Sequence, residues 1–236
     1  MPSGETAQEN IMHIEPGLVA EGKIWLSYVT AAGAGAYTLK LVADAVAERG
    51  VVSLILRSLF TTALVFCFFE VLPHHPVGVS EVHLILGSTL FLIFGVAPAA
   101  IGLAAGLALQ GIFFAPLDLP QYGMNVTTLL VPLFALASLS TRLVAPNTPY
   151  VEIKYRQALA LSTTYQAGIV VWVAFWALYG HGFTVENASS IASFGAAYML
   201  VIIVEPLVDL AVLAAAKALS GLRGTPLFER RLYDAA

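Results

Sequence analysis

The sequence predicts an all-α fold: a polytopic membrane bundle of about seven transmembrane helices, with its N-terminus outside and its C-terminus in the cytoplasm. Three observations predict it. Of the 236 residues, 58% are hydrophobic and only 11% are charged, whereas soluble domains carry about 25% charged residues. Long apolar runs recur along the chain and leave no sizeable soluble domain. The basic residues also gather where cytoplasmic loops would lie.

Apolar runs of about 20 residues are the candidate spans, because a helix of that length crosses the hydrocarbon core. They lie at about 22-47, 51-72, 83-97, 98-115, 124-143, 156-180 and 189-219. The third and fourth come from one continuous stretch, 82–115, which is too long for a single crossing at about 1.5 Å per residue. We divide this stretch at Gly95 and Pro98, because proline and glycine interrupt helices.

The basic residues set the expected orientation, because Lys and Arg concentrate in cytoplasmic loops. Only Lys23 is then clearly outside. The residues on or near the cytoplasmic side are Arg49, Arg57, Arg142, Lys154, Arg156, Lys217, Arg223, Arg230 and Arg231. The same topology puts every histidine at an outer helix end or in an outer loop, namely His13, His74, His75, His83 and His181.

We divide the chain into a polar leader, residues 1–11, and a transmembrane domain, residues 12–236. The leader lacks the basic and apolar regions of a secretory signal. The chain has no Gly-x-x-x-x-Gly-Lys-Ser/Thr phosphate loop, so we do not expect it to hydrolyse ATP. His-Glu-x-x-His is also absent, and the histidines are scattered, so we do not expect an enzyme.

Histidine is the residue type to consider as a metal ligand, because imidazole suits Co²⁺ and Ni²⁺. If Met12 is the first residue, its free amine, the deprotonated His13 amide and the His13 imidazole form two fused chelate rings around one ion. His83 could supply a fourth nitrogen and complete a square plane, a geometry that suits Ni²⁺ or Cu²⁺. Taken singly, each histidine is better explained as an interfacial residue.

Three segments resemble one known family in the same order along the chain. Met12-His13-Ile14-Glu15-Pro16-Gly17 is similar to the Met-His-Ile opening of the CbiM/NikM family. These proteins are the substrate-binding S components of energy-coupling-factor transporters for cobalt and nickel. Gly78-Val79-Ser80-Glu81-Val82-His83-Leu84 resembles the family's glycine-rich loop before Ser-x-His-Leu. The third likeness is to its Leu-x-x-Gln-x-x-x-Phe and Gly-x-Asn elements, at residues 107–114 and 123–125.

The resemblance implies a metal site. The amine of Met12, the amide and imidazole of His13, and the imidazole of His83 would hold the ion. Gln110 and Asn125 would lie near the N-terminal segment and hold it by hydrogen bonds. The other interpretation of these two amides is helix–helix hydrogen bonding unrelated to metal.

The sequence departs from the family pattern in three places. The leader would turn the Met12 amine into a peptide nitrogen, so we expect translation to begin at Met12 or the leader to be trimmed. Leu117-Asp118 replaces the family's Gly-Gly pair, which predicts a different loop course over the site. Glu81 is an extra residue in the loop before His83.

Further polar residues occur on the same outer loops. His74 and His75 could form a station where ions enter, with Glu81 and Asp118 adding carboxylates. A polar loop at the lipid headgroups is the simpler and favoured interpretation.

The expected function is the metal-binding membrane subunit of an importer, with Co²⁺ or Ni²⁺ as its substrate and no resident cofactor. The resemblance implies a coupling (T) subunit, ATPase subunits and a small accessory membrane protein as partners in the cell inner membrane. The alternative is a stand-alone divalent-metal permease, or a metal-binding membrane protein without ATPase partners. We expect no nucleic-acid partner, and cobalt is weakly favoured over nickel.

Four ionisable residues lie inside the expected spans, where such residues are functional candidates by default. Lys40 and Asp44 are one helical turn apart and could pair, and Glu205 and Asp209 have the same spacing. A pair between Lys40 and Glu205 would be structural, whereas docking against a coupling subunit would be functional. The sequence leaves both interpretations open.

Overall fold

The computed structural model describes residues 14, 18–146 and 148–234. Within them the chain forms six α-helices and one antiparallel hairpin. The strands are β1 (His75–Val77) and β2 (Ser80–Val82). The helices are α1 (Trp25–Glu70), α2 (Gly87–Phe94), α3 (Val96–Phe113), α4 (Tyr122–Leu143), α5 (Tyr155–His181) and α6 (Val185–Ala218). The hairpin is the exception to the predicted all-α fold. The proposed leader, Met12 and His13 lie outside the described residues.

Helix α1 is a run of 46 residues that is interrupted at Gly50. The backbone there has φ 79° and ψ 164°, a non-helical conformation that glycine adopts readily. An unbroken helix of this length would extend about 70 Å, more than twice the hydrocarbon thickness of about 30 Å. The break divides α1 into two segments, in agreement with the predicted spans at 22–47 and 51–72.

Five helices are long and apolar enough to cross a membrane: α1, α3, α5, α6 and the run Pro116–Leu143, which includes α4. They correspond to all the predicted spans except 83–97. Large apolar side chains such as Leu39, Leu59 and Leu200 are exposed on their outer surfaces, which suits contact with lipid. The predicted count of about seven is not confirmed: the five described helices, with α1 interrupted at Gly50, account for six of the predicted spans.

The expected span at 83–97 is wrong, because helix α2 has only eight residues. At about 1.5 Å per residue it extends about 12 Å, less than half of the hydrocarbon thickness. All eight residues are buried, and α2 contacts α1, α3, α4, α5 and α6. The segment is apolar because protein surrounds it on every side, a condition that hydropathy does not distinguish from contact with lipid.

The N-terminus of α2 meets two carboxylates from α6, Glu205 and Asp209, which are both fully buried. The Ser88 hydroxyl lies 3.0 Å from Glu205 Oε1 and 2.8 Å from Asp209 Oδ2. Thr89 donates to the other Asp209 oxygen. Negative charge at this position also complements the helix dipole. These four residues, with the α5 donors described below, are called the acidic cluster.

Helix α5 completes the acidic cluster with two further donors. Ser162 Oγ donates to Glu205 Oε2 at 2.6 Å, and Gln166 Nε2 donates to the same oxygen at 2.7 Å. Gln166 Nε2 also donates to the Ile85 carbonyl at 3.0 Å. The Lys40–Glu205 pair considered from the sequence is therefore wrong, since Glu205 is bonded to hydroxyl and amide donors. No ion pair among the described residues involves Lys40.

The C-terminus of α2 is held by a positive charge. Arg57 Nη1 donates to the Phe94 carbonyl at 2.8 Å and contacts Glu229 Oε2 at 2.7 Å. The chain then turns at Gly95, as predicted, with φ 88°, and a side chain there would collide with Glu229. A cation at the C-terminus and carboxylates at the N-terminus both oppose the dipole of α2, so the two ends fix its position.

The segment that follows α6, residues 225–231, runs across one end of the bundle. Arg49 donates to the carbonyls of Thr225 and Phe228, at 2.8 and 2.7 Å. Arg231 donates to the Val144 carbonyl beyond the end of α4, at 3.1 Å. Several of the predicted cytoplasmic arginines thus share this end of the bundle. The sidedness of the two termini stays a prediction.

The hairpin leads the chain from α1 towards α2. Residue Pro76 pairs with Glu81, and Val77 with Ser80. Gly78 in the turn has φ 64°, and a side chain there would collide with the Ser190 carbonyl of α6. Glycine therefore allows the hairpin to lie directly against α6, just ahead of His83.

Candidate metal-binding site

His83 lies between β2 and α2 and is only 2% exposed. The Phe69 ring at the end of α1 meets it edge-on, with centroids 5.1 Å apart. The His74 ring stacks against it, with centroids 5.2 Å apart. The sequence placed His83 at an outer helix end or in an outer loop, and the structure shows this imidazole buried in the protein interior.

Burial, and to a smaller extent the neighbouring His74, lowers the pKa of His83 to about 3. Desolvation is the main cause, because a buried imidazole loses the hydration of its charged form. The ring is therefore neutral at neutral pH, which is the protonation state that binds metal ions. His83 Nε2 lies 3.2 Å from Glu81 Oε2, a contact between a neutral imidazole and a carboxyl group.

A cavity of about 30 Å³ adjoins His83. This volume accommodates about one water molecule or a single ion, whereas pockets for organic molecules measure about 300 Å³ or more. The cavity is therefore too small for an organic substrate. All five long helices contribute to its wall, and the lining residues that matter below are Ile14, Ser80, Glu81, Asn125, Thr128 and Tyr198.

Asn125 connects this cavity to the N-terminal segment. The Ile14 backbone N–H donates to Asn125 Oδ1 at 3.4 Å, and Ile14 is 1% exposed. Ile14 is the residue that follows His13 in the sequence. Asn125 thus accepts a hydrogen bond from the N-terminal segment, and its role at a metal site stays a prediction.

Gln110, the other amide expected near the segment, is fully buried in α3. It does not line the cavity, although Leu107, about one helical turn earlier, does. Its role at the metal site stays a prediction.

The four residues considered as a station for entering ions are separated in the structure. His74 stacks on His83, and Glu81 is a buried residue of the cavity wall. His75 is exposed on β1, and Asp118 is buried in the short 3₁₀ helix Pro116–Gln121 without lining the cavity. Only His74 and Glu81 therefore lie beside His83.

Sequence reasoning missed Tyr198, a residue of α6 that lines the cavity and is 2% exposed. Its hydroxyl group forms a hydrogen bond with the His83 backbone. The only available signal was an aromatic residue one helical turn earlier, Phe194, whose ring centroid is 4.7 Å away. Such spacing is common in apolar helices, so it does not identify a site.

The part of the chain that the structure describes has no group of three or more His, Cys, Asp or Glu residues able to hold a metal ion. His83 and Glu81 are thus two candidate ligands that require others. The two expected additional ligand residues, Met12 and His13, lie outside the described residues.

Comparison with known proteins gives one match. Residues 13–220 match the family model CbiM, described as a cobalt uptake substrate-specific transmembrane region. The match covers all six helices, the hairpin and His83. No curated protein and no solved structure matches the chain.

Proposed function

Because the chain belongs to the CbiM family of cobalt-uptake transmembrane proteins, we propose that it captures Co²⁺ or Ni²⁺ at the outer face of the membrane for an energy-coupling-factor importer. Membership makes it a multi-pass membrane component of metal uptake, in a family of transporters and not of enzymes. The outer-face capture, the choice of ligands and the importer type are the proposal.

The observation that carries the proposal is a buried, neutral imidazole beside a cavity of ionic size. His83 is held at this cavity by flanking rings, and Ile14 forms part of the same wall. In the proposed complex His83 donates one nitrogen. The Met12 amine, the His13 amide and the His13 imidazole donate three more, which requires a chain that begins at Met12.

Energy for transport comes from partner subunits in this proposal. The chain has no phosphate-binding loop, and transporter components of this kind act with other subunits. We propose a coupling (T) subunit and ATPase subunits, with a small accessory membrane protein. This part is tested by measuring uptake of Co²⁺ or Ni²⁺ in cells with and without the coupling and ATPase subunits. Uptake that continues unchanged when these subunits are removed supports a stand-alone permease.

Replacing His83 tests the site itself. In protein that begins at Met12, we expect His83→Ala to lower Co²⁺ and Ni²⁺ affinity more than 100-fold, measured by isothermal titration calorimetry, because it removes a direct ligand. A loss of this size corresponds to about 2.7 kcal/mol. His75→Ala is the matched control, since His75 is an exposed histidine of the same hairpin, and it should bind normally.

Two results would contradict the proposal. Unchanged affinity in His83→Ala would exclude His83 as a ligand. Equal affinity in protein that retains residues 1–11 would exclude the Met12 amine, because that nitrogen would then be part of a peptide bond.

A further inference from the structure

Glu81 and His83 present their side chains to the same cavity. Glu81 belongs to β2, and His83 follows directly after the end of this strand at Val82. Glu81 is 6% exposed and His83 is 2% exposed. The distance between Glu81 Oε2 and His83 Nε2 is 3.2 Å, and both residues line the cavity.

This distance suits two ligands of one metal ion. Imidazole nitrogen and carboxylate oxygen each bind first-row divalent ions at about 2.1 Å. Two such atoms are then about 3.0 Å apart when the angle at the metal is a right angle, and about 3.4 Å apart at the tetrahedral angle. The observed separation of 3.2 Å falls between these values.

The charge of the complex also favours a carboxylate ligand. A divalent cation buried in a low-dielectric interior is costly unless anionic groups balance it. In the proposed four-nitrogen complex the deprotonated His13 amide supplies the only negative charge. A Glu81 carboxylate would supply the second and make the bound complex electrically neutral.

We propose that Glu81 is a direct ligand of the transported ion and selects Co²⁺ over Ni²⁺. This inference rests on the proposed function, because His83 must also bind the metal. A plane of four nitrogens suits Ni²⁺ or Cu²⁺, and Ni²⁺ in such a plane keeps its axial positions empty. An oxygen ligand outside that plane removes this advantage, whereas Co²⁺ accepts five or six ligands readily.

Glu81→Gln tests the assignment, since the amide keeps the size and a hydrogen-bonding oxygen but loses the charge. Purified protein beginning at Met12 is titrated with Co²⁺ or Ni²⁺, and the spin state of bound Ni²⁺ is measured by magnetic susceptibility. We expect the variant to lose at least 10-fold in Co²⁺ affinity and less in Ni²⁺ affinity. Bound Ni²⁺ should change from paramagnetic in the native protein to diamagnetic and square-planar in Glu81→Gln.

Two further variants complete the design. Ser80→Ala, at a neighbouring cavity position on β2, should leave the affinity ratio and the spin state unchanged. Glu81→Asp retains the charge, so its preference for Co²⁺ over Ni²⁺ should be closer to that of the native protein than the preference of Glu81→Gln is. Thermal unfolding of each protein identifies any variant that fails to fold. If Glu81→Gln fails, the native protein decides, because diamagnetic Ni²⁺ bound there would exclude a Glu81 ligand outside the plane.

The outcomes separate this inference from the function on which it rests. If His83→Ala binds normally, the proposed function fails. If His83→Ala loses binding but Glu81→Gln keeps the native affinity ratio and Ni²⁺ spin state, only the role of Glu81 fails. If Glu81→Gln lowers the affinities for Co²⁺ and Ni²⁺ equally and the Ni²⁺ spin state does not change, Glu81 only positions His83. That result also overturns the inference.

Discussion

Buried carboxylates occur in two regions of this molecule, and their surroundings differ. In the acidic cluster, all four oxygens of Glu205 and Asp209 meet donors on α2 and α5, which are hydroxyl groups, the Gln166 amide and the Ser88 backbone N–H. At the His83 cavity, Glu81 meets an imidazole nitrogen and lines a space of ionic size. Neither Glu205 nor Asp209 lines that cavity.

The difference indicates which buried charges bind helices together and which can bind a ligand. An intramembrane acid is a functional candidate by default. A carboxylate whose oxygens all accept bonds from the protein needs no further partner, and its removal leaves several donors unsatisfied. The acidic cluster therefore stabilises α2, whereas the cavity beside His83 retains room for an ion.

The largest expected effect in the acidic cluster follows from Glu205→Ala. The change leaves donors of Ser162 and Gln166 buried without this acceptor, at about 1–3 kcal/mol each, whereas the Ser88 hydroxyl keeps Asp209 as its acceptor. We expect the free energy of unfolding, measured by SDS titration, to fall by about 3 kcal/mol or more. Glu205→Gln keeps the size and one acceptor oxygen and should lose less. A Glu205→Gln protein of native stability that cannot bind Co²⁺ would contradict the distinction between the two regions.

An intermediate effect on metal affinity is expected from Asn125→Ala, which removes the acceptor for the Ile14 N–H. Residues that hold metal ligands in place typically contribute 10- to 100-fold to affinity, and we expect a loss in about that range. Calorimetric titration with Co²⁺ measures it. Thr128→Val is the control, because Thr128 lines the same cavity but donates to the Met124 carbonyl of its own helix. Equal losses in both variants would assign the effect to cavity packing.

The smallest effect is expected from Ser162→Ala. Glu205 Oε2 would keep its bond from Gln166, so the free energy of unfolding should fall by only about 1 kcal/mol. Metal affinity should not change, because Ser162 does not line the cavity. A clear fall in Co²⁺ affinity would show that the acidic cluster and the site are coupled, a connection that Gln166 and the Ile85 carbonyl could provide.

The long helices could be predicted from the sequence because each carries its own signal, a span-length apolar run. The break at Gly50 was also predictable, because charged residues just before this glycine separate two apolar runs. Helix α2 was not predictable as a short buried helix, because a segment surrounded by five other helices and a segment surrounded by lipid are both composed of apolar residues. The hairpin was missed because three-residue strands are too short to show an alternating pattern.

The site was predictable only where a residue belonged to an ordered set of motifs. His83 and Asn125 were proposed in this way, and Asn125 accepts a hydrogen bond from Ile14, while their roles at a metal site stay predictions. The burial of His83 depends on residues from distant parts of the chain, so no local pattern predicts it. Tyr198 and the partners of Glu205 were missed for the same reason. They are uncharged residues on separate helices, and no pattern in the sequence indicates that they meet.

The segment 225–231 has a consequence for biogenesis. It follows all six helices in the chain, yet it binds Arg49 before the Gly50 break, the Ile93 carbonyl near the end of α2, and the Val144 carbonyl beyond α4. A ribosome releases the N-terminal helices into the membrane long before these residues emerge. The contacts that join these three parts of the chain at that end of the bundle can therefore form only after the final segment has been made.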